Sequence, residues 1–304
     1  MPDAFLNGRF VPVAEAVVPV TDAGFLLGAT VAEQLRTFGG RLFQLEAHLD
    51  RLWHSLEIVG VEPGFARDEL AAAAKELVRR NHPVLAEGDD LGLTMFVTPG
   101  PYTTYVPEGG PPLVGMHTFP LPFGLWAKLY DAGQSLRVTD VQQVPGECWP
   151  SELKCRSRMH YYLADQHARA AESGSRALLL DDTGHVVEAS TANIVVIDGE
   201  GVLVSPPREI ILPGISVAVL SKLAAELGLA MVHRDLTPAD VAVAREVLLT
   251  STSPCLYPVT RFNGEPVGDG QPGANFQRLL SAWSQHVGLD IRAQAIRFAV
   301  RSND

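Results

Sequence analysis

The chain has 304 residues, 46% hydrophobic and 19% charged, enough apolar material for one large domain or two. A net charge of −11 excludes the basic face that a nucleic-acid or anionic-membrane binder needs. No stretch reads as a membrane span, the N-terminus MPDAFLNGRF lacks a signal-peptide pattern, and Cys148, Cys155 and Cys255 fit neither a zinc spacing nor a disulfide framework, so a cytoplasmic setting is expected.

The chain opens as a hairpin, AFLNGRFVPV, with Asn7-Gly8 between apolar runs. VAEQLRTFGGRLFQL predicts a strand turned at its Gly-Gly pair. EAHLDRLWHSLEIVG and ARDELAAAAKELVRRN carry helical periodicity. LGLTMFVTPG and LVGMHTFPL read as strands. Pro120 to Gly133 is rich in Pro, Gly and Trp without periodicity, and reads as a connector between residues 1–119 and 134–304. SLRVTDVQQV then predicts a strand and SRMHYYLADQHARAAESG a helix closed by Gly174. RALLLDD and HVVEASTANIVVIDGEGVLVSP predict three strands, with turns at Thr183-Gly184 and after Asp198. VAVLSKLAAELG is a helix ending at Gly228, EVLLTSTS a strand, and NFQRLLSAWSQHVG a last helix. The tail LDIRAQAIRFAVRSND has no assigned role. Sheet and helix mix in both halves, which indicates an α+β or α/β fold.

Only four of the 24 basic residues are lysines. Lys75 and Lys222 lie on amphipathic helical stretches, and Lys128 lies in the connector. Lys154 ends the irregular run VPGECWPSELK just before a helical pattern. Such a lysine is either an ordinary surface cation or an amine whose lowered proton affinity suits Schiff-base chemistry. LPGIS, Leu212 to Ser216, precedes a helix. There Gly214 permits close backbone approach, Ser216 is an N-cap candidate, and unpaired N–H groups form an anion cup; a plain capped loop has the same pattern. Thr250 to Ser253 forms a hydroxyl run at a strand end, and Arg51 sits among apolar helix neighbours. Both suit a phosphate, or a loop and a solvated face. Glu188, inside the apolar VVEASTANIVVI, needs a cationic partner if buried, or solvent if at an edge. Asn193, five residues on, faces the opposite way in an unbroken strand.

These pieces in this order resemble the class IV aminotransferases of the branched-chain and D-amino-acid type. They run DAGFLLGATVAEQLRTFGGRLFQLEAHLDRL, ELK, VVEASTANIVV, LPGIS and LLTSTSPCLYPV. The resemblance implies a two-domain fold-type IV enzyme, with a small N-terminal domain and a larger cofactor-binding domain. It implies pyridoxal 5'-phosphate in Schiff-base linkage to Lys154, with Glu188 holding the pyridine nitrogen protonated. Arg51, Ile215, Ser216 and Thr252 are implied at the phosphate, the pair Ile215 and Ser216 through backbone N–H groups, and Asn193 and Ser251 beside the cofactor. It also implies a homodimer.

The departures concern the substrate. The tyrosine that branched-chain enzymes carry five residues after the lysine is Met159 here, with Tyr161 and Tyr162 following. The aromatic of the V-x-E motif is Ala32. The Arg-x-His carboxylate trap of D-amino-acid enzymes is missing from FVTPGPYTTYV. Lys154-Cys-Arg-Ser-Arg158 looks more like the aminodeoxychorismate lyase version. The expectation is transamination between an apolar L-amino acid and a 2-oxo acid, with Arg36 and Arg158 as candidates for a substrate carboxylate. The lyase and D-amino-acid activities stand as alternatives.

Overall fold

The computed structural model describes residues 2–300. They fall into two compact units, Met1–Leu121 with Leu153–Ser157, and Pro122–Glu152 with Arg158–Asp304.

In the first unit the chain runs β1 (Asp3–Leu6), β2 (Arg9–Pro12), α1 (Ala23–Leu26), β3 (Val31–Phe38), β4 (Arg41–Leu42), α2 (Leu45–Val59), α3 (Arg67–Asn81), β5 (Leu91–Thr98) and β6 (Leu113–Pro120). The two expected glycine turns form. Asn7 and Gly8 take φ of 45° and 86°, and Gly39 and Gly40 take 56° and 74°, the left-handed values a tight hairpin requires. The strands make an antiparallel six-stranded sheet ordered β2-β1-β6-β5-β3-β4. Leu49, Leu52 and Leu56 of α2 and Leu70, Ala74 and Leu77 of α3 pack with Leu35, Leu93 and Met95 of the sheet in one apolar core. Helical 3.6-residue spacing meets two-residue strand spacing on this face.

Leu153–Ser157 is an added edge of this unit. Cys155 bridges Val31 in antiparallel fashion. Ala32 N–H donates to Lys154 O at 3.0 Å and Arg156 N–H to Thr30 O at 2.8 Å. Lys154 therefore belongs with the first sheet, although its chain position lies within 134–304. The reason is backbone pairing, which takes no notice of sequence distance.

The second unit follows the order α4 (Leu129–Ala132), β7 (Gln134–Val138), α5 (Met159–Ala171), β8 (Arg176–Leu180), β9 (Val186–Ala189), β10 (Asn193–Ile197), β11 (Leu203–Ser205), α6 (Ile215–Glu226), β12 (Met231–His233), α7 (Pro238–Ala242), β13 (Glu246–Ser251), β14 (Cys255–Phe262), β15 (Glu265–Pro266), α8 (Ala274–Val287) and α9 (Ile291–Arg297). Its mixed sheet runs β12-β11-β10-β13-β14-β7-β8-β9, with β15 on β14. The stretch expected to be one strand through VVEASTANIVVI is two. Ala189 and Ala192 bridge across a tight turn, and Thr191 takes φ of 65°. β9 and β10, far apart in strand order, meet at that turn. The expected connector is not a bare linker either: Phe123, Trp126 and Tyr130 are buried, and α4 forms within it. Apolar side chains, not periodicity, order this short segment. The tail forms α9, started by the Asp290 side chain accepting from Ala293 N–H; residues 301–304 lie outside the described residues. No helix among the described residues is long and apolar enough to cross a membrane.

Candidate active site

In the first unit, His48, Arg51 and Ser55 stand three and four residues apart and so share one face of α2. They converge on Glu33 of β3 and on the Lys154 strand. Arg51 grips Glu33 with both arms, Nε to Oε1 at 2.7 Å and Nη2 to Oε2 at 2.8 Å. His48 Nδ1 lies 2.7 Å from Glu33 Oε2. Ser55 Oγ accepts from Lys154 N–H at 3.1 Å. Burial pushes the Glu33 carboxyl up in pKa, but the Arg51 and His48 contacts outweigh it and hold the group well below the usual carboxylate range. Burial also lowers His48, assisted by the Arg51 and Lys154 charges and opposed by Glu33. Arg51, expected at a phosphate, is thus also half of a buried ion pair.

Arg36 is wholly buried. Its guanidinium lies 3.9 Å over the Phe38 ring and its Nε donates to Thr37 O at 3.2 Å. It is a packed cation of the first sheet. Arg158 lies in the second unit at the start of α5.

The second unit gathers Glu188, Asn193, Ile215, Ser216, Ser251 and Thr252. Glu188, on β9, is 4% exposed. Its Oε1 accepts from the Tyr161 hydroxyl and from Gln143 Nε2, the latter at 3.1 Å. The 190–192 turn links β9 to β10. Arg176 holds that turn, donating to Ser190 Oγ at 3.1 Å, to Thr191 Oγ1 at 2.6 Å and to the buried Tyr257 hydroxyl. A β-branched residue at positive φ is strained, and these bonds hold it there. Because the strand is broken, the sidedness expected from an unbroken one does not apply to Asn193. Its register partner is Thr250, and its Nδ2 donates to Leu212 O at 3.0 Å. The end of β13 and the loop before α6 are thereby drawn together.

That loop fits a phosphate group. Gly214, not Ser216, is the N-cap of α6, and Ser216 is the second helical residue. The first helical bond is Ala218 N–H to Gly214 O, so the amides of Ile215, Ser216 and Val217 precede the hydrogen-bonded ladder. A Cβ at Gly214 would stand 1.9 Å from Asn193 Oδ1. The hydroxyl run divides. Thr250 Oγ1 is spent on Cys255 O at 2.8 Å, while Ser251 and Thr252 lead the turn that reverses β13 into β14. Within the second unit, a helix N-terminus with hydroxyls nearby suits a phosphate, and a buried hydrogen-bonded carboxylate suits a protonated ring nitrogen. Glu33, His48, Ser55, Gln143 and Tyr161 escaped the sequence reading, although the spacing of His48, Arg51 and Ser55 on α2 was a usable signal.

Two outcomes follow from this geometry. Glu33→Gln leaves Arg51 buried without its counter-charge, and the expected cost at neutral pH is roughly 3–5 kcal/mol. Glu33 is ionised far below its ordinary value near 4.5 when folded, so its contribution is complete above that value and declines as pH falls below it. Urea unfolding should show the gap between wild type and variant narrowing below pH about 4.5; a constant gap would contradict the assignment. Gly214→Ala must displace Asn193 or the loop, and should weaken binding of pyridoxal phosphate to the apoenzyme while barely changing the content of regular structure. Unchanged affinity in an equilibrium titration would remove this loop from the phosphate site.

Comparison with known proteins agrees. The family model for amino-transferase class IV matches residues 30–262. A putative branched-chain-amino-acid aminotransferase of Methanocaldococcus jannaschii is 30% identical over 284 residues, 90% of this chain and 93% of that protein. A D-alanine aminotransferase of Bacillus licheniformis is 30% identical over 278 residues, 91% and 94% of the two chains. Among solved structures, the T.th. branched-chain amino acid aminotransferase complexed with N-(5'-phosphopyridoxyl)-L-glutamate superposes with a TM-score of 0.85 at 26% identity, covering 94% of each chain. On these matches the chain belongs to the class IV aminotransferases and is a transaminase that uses pyridoxal 5'-phosphate.

Proposed function

We propose that this transaminase takes its amino group from an apolar L-amino acid of the branched-chain type and passes it to a 2-oxo acid. The observation that carries this reading is the connection between β5 and β6. Residues 99–112, PGPYTTYVPEGGPP, contain no Arg, Lys or His, and present Tyr102 and Tyr105 edge to face at 5.9 Å. A segment without cations and with two phenol rings suits an apolar side chain rather than a carboxylate trap. One relative is named for branched-chain amino acids and another for D-alanine, so the names do not choose, and the lack of cations in this segment supports the branched-chain reading.

Lys154 would be the residue that bonds the cofactor, and its amine would move the proton at the substrate α-carbon. Its fixed backbone, paired to Ala32 and held by Ser55, limits where Nζ reaches. Glu188 would pair with the ring nitrogen. The backbone amides of Ile215 and Ser216, the hydroxyls of Ser251 and Thr252, and Arg51 hold the phosphate, and Asn193 fixes the loop. Arg158 is the candidate for the substrate carboxylate. When bound, pyridoxal phosphate supplies the electron sink that stabilises negative charge at the α-carbon.

Borohydride reduction of the holoenzyme should label a single peptide, the one containing Lys154; label on another lysine rejects the site. L-leucine should turn over faster than D-alanine under identical conditions. Faster turnover of D-alanine would reverse the stereochemical reading, and pyruvate release from aminodeoxychorismate would favour the lyase alternative suggested by Lys154 to Arg158.

We also propose a homodimer, working in the cytoplasm. Between β2 and β3 the first unit exposes Val17, Val18, Val20, Phe25 and Leu27, a run of large apolar side chains beyond what a lone surface usually shows. A second copy covering it by two-fold symmetry is the commonest solution. Sedimentation of the holoenzyme should give twice the chain mass; a fully active monomer would rule the pairing out.

A further inference from the structure

Glu188 is served by a residue that the family pattern does not supply. The tyrosine expected five residues after Lys154 is Met159, which is largely exposed. Two residues further into α5, Tyr161 instead points its hydroxyl at Glu188 Oε1. The ring is seated against an apolar cluster, Ala164, Ala168, Ala177 and Leu179. His160 lies on its other side, with ring centroids 4.0 Å apart. Leu179 of β8 is the register partner of Glu188 on β9. The surface that seats the ring and the strand that carries the carboxylate are therefore one rigid piece. Gln143 Nε2 reaches the same oxygen at 3.1 Å, and its own backbone N–H is tied to Leu180 O at 2.9 Å.

We propose that Tyr161 is a positioning residue for Glu188: its phenol, together with Gln143, fixes the plane and the basicity of that carboxylate and thereby keeps the proton on the cofactor's ring nitrogen. The proposal rests on the reading that Glu188 faces that nitrogen. Two neutral donors on one oxygen stabilise the ionised carboxylate without cancelling its charge. A carboxylate so bound is a weaker base, so a proton shared with a ring nitrogen stays on nitrogen. The phenol is a dependable donor, because burial and the neighbouring Glu188 charge push its pKa well above the ordinary value of 10. It never competes as an anion at working pH.

Tyr161→Phe keeps the ring in its seat and removes only the hydroxyl. In the holoenzyme, kcat for the best amino donor should fall about tenfold, the scale of one hydrogen bond to a charged group, with KM unchanged. The visible absorption of the bound cofactor should change in the same sense as in Glu188→Gln, by less. In the Glu188→Gln background, Tyr161→Phe should add nothing to either readout, because the two residues act through one contact. A cofactor analogue with carbon in place of the ring nitrogen gives a readout independent of turnover. Its affinity for the apoenzyme should be the same in wild type and Tyr161→Phe, while pyridoxal phosphate itself binds more weakly to the variant. Additive effects in the double variant, or unchanged kcat and absorption in Tyr161→Phe alongside an impaired Glu188→Gln, would overturn the role of Tyr161 while leaving Glu188 in place. A Glu188→Gln enzyme with wild-type kcat and absorption would overturn the underlying assignment as well.

Discussion

Glu33 in the first unit and Glu188 in the second are buried carboxylates, each answered by side chains of its own unit. An isolated charge removed from water is so costly that the surroundings must answer it or the group takes up a proton. Glu33 is answered by a cation, Arg51, in two-point contact, with His48 alongside. Glu188 receives the Tyr161 phenol and the Gln143 amide, which spread its charge without neutralising it. The Glu33 pair is a structural joint, tying β3 to α2.

The joint at Glu33 also explains how a lysine distant in sequence becomes part of the first sheet. Strand β3 is fixed on one side by β5 and anchored to α2 through the Glu33 contacts. Its N-terminal end is then a stable edge for Leu153–Ser157, and Ser55, one further turn along α2 from Arg51, accepts the Lys154 amide. A lysine side chain has four rotatable carbons and loses much freedom on being held. Fixing the Lys154 N–H and C=O sets where that side chain starts, while its own torsions stay free.

Much of this was legible in the sequence, and the parts that were not share a cause. Hairpins at Asn7-Gly8 and Gly39-Gly40, the helices 45–59 and 67–81, and the α6 stop at Gly228 follow from local rules: positive-φ residues and 3.6-residue periodicity. The family was visible because few alternatives explain Lys154, Glu188 and LPGIS in that order. What was hidden depends on pairing between distant segments. The break at Ser190 to Ala192 is set by Arg176, fourteen residues before Ser190 and on another strand. The N-cap moved from Ser216 to Gly214 because Asn193 fills the space beside the loop. Arg36 carries an unmistakable charge, yet its burial over Phe38 is decided by sheet packing that no window of sequence displays.

The replacement of the usual tyrosine position by Met159 follows from the same geometry. A phenol five residues after the lysine and a phenol seven residues after it differ by more than half a helical turn, so they cannot address the same atom. With Met159 turned outward and Tyr161 seated on the β8 side of α5, the buried phenol of this helix faces the carboxylate. Its hydroxyl meets Glu188 Oε1, the oxygen that Gln143 Nε2 also reaches.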